Sequence, residues 1–422
     1  MQNTLRMPST QVVEYQAPKH GSYRPGQIRE FEGLRGLLAL WIVFVHAVLF
    51  SGLILRTQAG LPGLVLGKFF KGQHGVAVFI ILSGFVVSMR LQRRQFSFGE
   101  FMSSRFFRIY PLYLMSLALA MVTVFLMPGV LETGSWFRNE YFAAMHSVSF
   151  QERTHLHWHL LFHVLLIQTA VPNAWFPEAH WAILGPTWSL SHEWQFYLIA
   201  PRLRKVSNSP LGLIVVAILV VAAARLAARL QLGLDWSLLA TLPLFLLGIL
   251  TFRFHEQIAS RPETTLAQAT TPLCGMAAFA IIADWKAIPV VIWTMAYAAF
   301  IAAERTGSSP LGAFLSGLSR FLKNRVFLWL GGISYPLYLL HWPYMIIVLC
   351  VALKFRPDLT STQAFGMFAV SIPPLLWLCH LVHRSVEMPL VDFGKRFRKS
   401  IGQQADPMPQ TAIRSASTHL SE

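Results

Sequence analysis

Charge is scarce in this sequence. Asp, Glu, Lys and Arg together make up 13% of 422 residues, about half of what a water-exposed domain carries, and that shortage excludes an ordinary soluble globule. Acidic residues are scarcer still, 19 against 35 Lys and Arg, for a net charge of +16. Such an excess often signals nucleic acid. Here the basic residues cluster beside apolar runs, as in the cytoplasmic loops of membrane proteins, so membrane lipids are expected as partners and nucleic acid is not. Cysteine is nearly absent. Cys274, Cys350 and Cys379 all lie inside apolar runs, which excludes a disulfide framework or a Cys-based metal site and leaves them as small buried hydrophobes. Also missing are a Walker phosphate loop, a dinucleotide-binding fingerprint and a serine-nucleophile elbow. Residues 1–30 hold Pro8, Pro18 and Pro25 but no apolar stretch, so they read as a loose cytoplasmic tail without a cleavable signal peptide.

Apolar surface is what the chain has in abundance, with 54% hydrophobic residues. Runs long enough to cross a bilayer, or nearly so, occur at about 34–55, 74–90, 109–127, 188–201, 210–226, 236–252, 271–285, 287–303, 326–353 and 364–383. A span needs about 20 residues, and backbone groups in lipid must be satisfied internally, so these segments are helices. The expectation is an all-α polytopic membrane protein with about ten transmembrane helices, spanning residues 31–390 between the N-terminal tail and a cytoplasmic C-terminal tail, 391–422. With the N-terminus inside, the inner segments collect Arg90, Arg93 and Arg94; Arg105 and Arg108; Arg202, Arg204 and Lys205; and Arg320, Lys323 and Arg325. This asymmetry supports both termini on the cytoplasmic side. The segment His157–Val171 disturbs the count, because as a span it would invert everything after it. It is expected to be a re-entrant or interfacial helix on the outer side.

Ionisable groups inside spans are costly and mark function by default. Arg35 and His46 stand eleven residues apart, which puts them on one helix face roughly 16 Å apart along the axis. One face then runs from the cytoplasmic end toward a reacting centre, although a snorkelling Arg and a hydrogen-bonded His would give the same pattern. Glu193 follows the Gly185-Pro186 break, and its depth suits a contact with His46. A carboxylate beside an imidazole orients it and raises its basicity. Arg105 and Arg108 precede Pro111, a residue favoured in a first helical turn. A helix start with two guanidiniums suits phosphate groups, or the anionic head groups of lipids. His341 lies in GGISYPLYLLHWP, where Gly331, Gly332 and Pro336 permit a kink and close packing. Ser83, beside Gly84, Tyr335 and His341 are candidates for acceptor or pore lining. His155, His157, His159 and His163 share helical faces pairwise, but no Cys or Asp accompanies them, so no metal is expected.

Taken together these motifs resemble the acyltransferase-3 family, membrane proteins that O-acylate cell-surface glycans, lipids and some small molecules. The resemblance covers about Phe31 to Leu390. It rests on Arg35 with His46, HGVAVFIILSGFVVS, the arginine pair of SRFFRIYPLY, WSLSHEWQFY with Glu193, and ISYPLYLLHWP, in that order. It implies an acyl-CoA donor, usually acetyl-CoA, that needs no permanently bound cofactor. It also implies a glycan or lipid-linked glycan acceptor and a bacterial inner-membrane location. His46 would be either the general base or the carrier of the acyl group, Glu193 its orienting partner, and Arg35, Arg105 and Arg108 the ligands of the CoA phosphates. The remaining alternatives are acylation of a secreted small molecule and a proton-coupled glycan or lipid transporter, whose two-half hydropathy symmetry this chain lacks.

Overall fold

The computed structural model describes residues 28–58, 67, 71–93, 97–206, 210–259, 287–304 and 310–404. Among them there is no strand. The α-helices are α1 (Arg29–Phe50), α2 (Gly72–Arg93), α3 (Phe98–Thr133), α4 (Ala143–Thr154), α5 (Leu156–Val164), α6 (Trp188–Val206), α7 (Pro210–Arg229), α8 (Leu238–Ala259), α9 (Ala287–Glu304), α10 (Pro310–Leu322), α11 (Arg325–Gly332), α12 (Ser334–Phe355), α13 (Ser361–Val382) and α14 (Met388–Gln404). The fold is therefore all-α and polytopic.

Among the described residues, seven candidate spans are long and apolar enough to cross a membrane: α1, α2, α3, α7, α8, α12 and α13 continuing into α14. Helix α9 is apolar but shorter. Seven spans among the described residues thus stand beside the about ten expected from sequence. The run expected at 271–285, with Cys274, lies outside the described residues. Helix α6 carries His192, Glu193, Arg202 and Arg204 within 19 residues, too many polar groups for an apolar crossing. The run at 326–353 is two helices, broken between Gly332 and Ser334. The awkward segment after His157 holds only the nine-residue α5, about 14 Å long, and a helix that short cannot cross a core of about 30 Å. Downstream, residues 388–404 continue from a π-turn, His383–Glu387, as α14. Its Phe393 and Phe397 pack on Phe107 of α3.

Two apolar cores share α1. One face of α1, with Phe31, Leu34, Leu38 and Ile42, joins α2, α3, α6, α8 and α9. The other, with Ala39, Val43, Ala47 and Phe50, joins α12 and α13. Close approach comes from small residues. A Cβ on Gly84 would run into the Phe245 carbonyl, and one on Gly248 into the Ile81 carbonyl, so α2 and α8 touch backbone to backbone. The polar residues of α1 lie along the line where these two cores meet.

The helix ends follow local rules. Helix α3 starts with a capping box, in which Ser97 Oγ accepts from Glu100 N and Ser97 N donates to the Glu100 carboxylate. A Ser with Glu three residues later satisfies two orphan amides. Helix α13 repeats the device with Thr360 and Gln363. The 3-10 turn Gly185–Thr187 leads into α6 at Trp188, as the Gly-Pro break predicts. The end of the bundle holding Arg35, Arg105 and Arg108 is termed the arginine end; the opposite end, with α4, α5 and residues 165–187, is the cap end.

Candidate active site

His46, near the last turn of α1, faces α12. Its Nδ1 lies 2.9 Å from Nε2 of His341, and the two rings are stacked with centroids 5.0 Å apart. The Trp342 ring stands edge-on to His46 at 5.2 Å. His341 is fully buried, and its Nδ1 is 3.0 Å from the Leu337 carbonyl. A carbonyl only accepts, so Nδ1 of His341 must carry the proton. In the neutral ring Nε2 is then the acceptor. Nδ1 of His46 must therefore donate, which leaves the lone pair of His46 on Nε2. One backbone carbonyl thus fixes the tautomer of two imidazoles.

The contact expected between His46 and Glu193 is absent. Glu193 Oε1 instead accepts from Ser83 Oγ at 2.9 Å and from the Tyr197 hydroxyl. The depth argument matched Glu193 alone to His46. What decides the pairing is that α1 packs on α12 at His46, while Glu193 of α6 bonds to Ser83 of α2. The Tyr197 partner was missed, although a residue four positions after a carboxylate on a helix is its natural neighbour.

Arg105 is buried, with its guanidinium over the rings of Tyr197 at 4.7 Å and Phe101 at 5.3 Å. Its Nε and Nη2 have no hydrogen-bond partner. Arg108, one turn on, is exposed, and the carboxylates of Glu387, Glu193 and Glu32 act on it electrostatically. Arg35 pairs with Glu32 at 3.3 Å. These arginines do gather at one end, but not at a helix start. Helix α3 begins at Phe98, and Pro111 lies in its interior. The capping box at Ser97 already satisfies that terminus, so the phosphate-binding capacity here resides in guanidiniums rather than in free amides.

Tyr335 and Tyr338 fall on one face of α12 between the arginines and the imidazoles. The Tyr335 hydroxyl donates to Ile109 O of α3 at 2.7 Å. The Tyr338 hydroxyl donates to Pro186 O and lies 2.8 Å from Ser189 Oγ. Tyr335, Tyr338, Ser83, Glu193, Arg35 and His46 are each only partly buried, polar side chains set between the arginine end and His46. Tyr338, Trp342, Glu32 and Glu387 were not singled out from sequence. Glu32 had a readable signal, a carboxylate one turn before Arg35 at the start of an apolar helix.

Among the described residues no group of three or more His, Cys, Asp or Glu is placed to hold a metal ion. His163 lies 3.3 Å from the Tyr113 hydroxyl, and burial holds its ring neutral, pushed down to about 3.

Against known proteins, a family model described as an acyltransferase domain, that of the acyltransferase-3 family, matches residues 28–382. The chain belongs to this family and is a membrane acyltransferase. No curated protein and no solved structure matches it.

Proposed function

We propose that this acyltransferase moves an acyl group, acetyl foremost, from acyl-CoA held at the arginine end to a hydroxyl of a cell-surface polysaccharide or lipid-linked glycan. The observation that carries the reading is the imidazole pair, whose tautomers leave the lone pair of the partly buried His46 on Nε2 as a base. In this mechanism the acceptor O–H gives its proton to Nε2 of His46. The oxygen attacks the thioester carbonyl, the C–S bond breaks, and CoA leaves as a thiolate that takes the proton back. While His46 is charged, the Nδ1–H bond to His341 shares the positive charge. Arg105, with free N–H donors, and Arg35 and Arg108 hold the CoA phosphates, for which a planar fork of donors is well matched. The distance from Arg35 to His46 along α1, roughly 16 Å, is comparable to an extended pantetheine arm. Glu193 positions this end by fixing Tyr197, the ring beneath Arg105, rather than by touching His46. The donor side faces the cytoplasm and the cap end the outer surface of a bacterial inner membrane, in keeping with the basic loops of the arginine end.

The test is CoA release from acetyl-CoA by native-host membranes, together with NMR of surface glycans from a deletion strain complemented with wild type or His46→Ala. Acetyl-dependent thiol release and glycan O-acetyl signals that return only with wild type support the reading. Full transfer by His46→Ala would overturn the mechanism. Thiol release with unchanged glycan spectra would move the acceptor to a secreted small molecule.

A further inference from the structure

The segment between α5 and α6 is a loop of an unusual kind, because connecting segments normally run over the surface. Ala179, His180, Ala182, Ile183, Leu184 and Thr187 are all buried. Within it Ile183 has φ +57°. For a β-branched side chain this left-handed conformation is an outlier that persists only where the surroundings enforce it. The enforcing contact is visible. Ile183 N donates to Glu152 Oε2 at 2.9 Å, and Glu152, on α4, is itself buried.

The residues just after Ile183 meet the reacting centre. Gly185 packs so closely on the Trp342 ring that a Cβ there would come to 3.1 Å of it. Pro186 O accepts from Tyr338. Trp342 stands edge-on to His46, and Tyr338 lies one turn before His341 on α12. The chain of contacts runs from Glu152 to Ile183, to the Gly185–Thr187 turn, to Tyr338 and Trp342, and ends at the imidazole pair. We propose that Glu152 is a positioning residue, which through Ile183 holds the Gly185–Thr187 turn as the cap-end wall of the His46–His341 site. The proposal rests on the imidazole pair being the reacting centre.

The latch responds to pH. Burial raises the Glu152 carboxyl to about 7 from 4.5, against the smaller opposing effects of the Ile183 amide and Arg153. A raised carboxyl stabilises the closed form fully below its ordinary value, and that contribution is lost as pH rises through about 7. The other titratable groups on the packed elements at this end are His146 and Arg153 on α4, His155, His157, His159 and His163 around α5, Tyr113 and Glu132 on α3, Glu140 and Tyr141 in the turn before α4, and Glu178 and His180 in the loop. Burial depresses His159 to about 4 and His163 and His180 to about 3, and raises Glu178.

The experiment is hydrogen–deuterium exchange on the full-length protein in lipid nanodiscs, following peptides over 178–187. In wild type, exchange corrected for intrinsic rates rises on the order of 10-fold to 100-fold from about pH 5 to about pH 8. Glu152→Ala exchanges faster than wild type at about pH 5, with peptides over 29–50 unchanged. Glu152→Gln, whose amide oxygen still accepts from Ile183, keeps the protection and loses the pH dependence, which separates Glu152 from His146 and His155. Unchanged exchange in Glu152→Ala, or a wild-type pH dependence in Glu152→Gln, overturns the latch. In membranes, Glu152→Ala lowers the turnover of acetyl-CoA with its KM unchanged, and Glu152→Gln restores most of it. A loosened loop with undiminished turnover overturns its role as a wall of the site. If wild type itself releases no CoA, the acyl-transfer reading fails, and with it the wall, while exchange still decides the latch.

Discussion

The two ends of the bundle bury ionisable groups in opposite ways. At the arginine end three carboxylates meet cations or imidazoles, Glu30 with Lys323 at 3.1 Å, Glu32 with Arg35 and Glu387 with His383 at 2.7 Å, while Glu193 meets the hydroxyls of Ser83 and Tyr197. Arg105 is the exception, stacked on two rings with N–H donors unused. At the cap end Glu152 is satisfied by a backbone amide, and His163 and His180 are kept uncharged by burial. A buried cation with spare donors is suited to an anion that comes and goes, because the anion repays desolvation already incurred. Groups held neutral and bonded to backbone are suited to keeping a shape. Under the proposed function, the difference suits recognition of a charged donor at one end and definition of the reaction chamber at the other.

The largest test of this division lies between the ends. His46→Ala is expected to lower acyl transfer about 10²-fold to 10⁴-fold, the range for loss of a general base, with the KM for acetyl-CoA little changed, measured by thiol release. Next comes its partner. His341→Ala leaves Nδ1 of His46 without its acceptor, so the ring is free to take the wrong tautomer, and turnover falls on the order of 10²-fold. His341→Gln, with an oxygen able to accept from His46, recovers part of that loss. Equal losses in both variants would mean that His341 serves packing rather than tautomer control. A smaller effect of a different kind belongs to the arginine end. Arg105→Ala removes charged donors of about 1.5–3 kcal/mol each, so KM for acetyl-CoA rises roughly 10-fold or more while turnover at saturation is largely kept. A fall in turnover at unchanged KM would break the comparison, placing Arg105 with the chemistry.

These contrasts also explain what was legible in the sequence. Membrane character, helical class and most helix positions come from apolar run length, because a bilayer sets one length scale. Arg35, His46, Glu193, Arg105 and His341 stood out because charge in a span is anomalous wherever it occurs. Their pairing did not stand out. His46 and His341 are 295 positions apart, and depth alone pointed to Glu193; which helix lies beside α1 is set by apolar packing that many sequences share. Glu152 was invisible for the opposite reason. It sits in a polar stretch where a carboxylate is ordinary, and only the left-handed Ile183 and the burial around it show its constraint.

The smallest effect tests where the arginine end begins. Pro111 suggests a helix starting beside Arg105 and Arg108, with its free amides available to phosphate. Instead the helix starts at Phe98, and the Ser97–Glu100 box occupies its first amides. Ser97→Ala removes one capping bond, costing about 1 kcal/mol. The expected result is a small drop in Tm in detergent with KM for acetyl-CoA unchanged, since Arg105 lies about 10 Å further along the axis. A rise in KM comparable to that of Arg105→Ala would instead make the helix terminus part of the phosphate site. Recognition at this end would then depend on the backbone as much as on guanidiniums, and the contrast with the backbone-bonded Glu152 of the cap end would narrow.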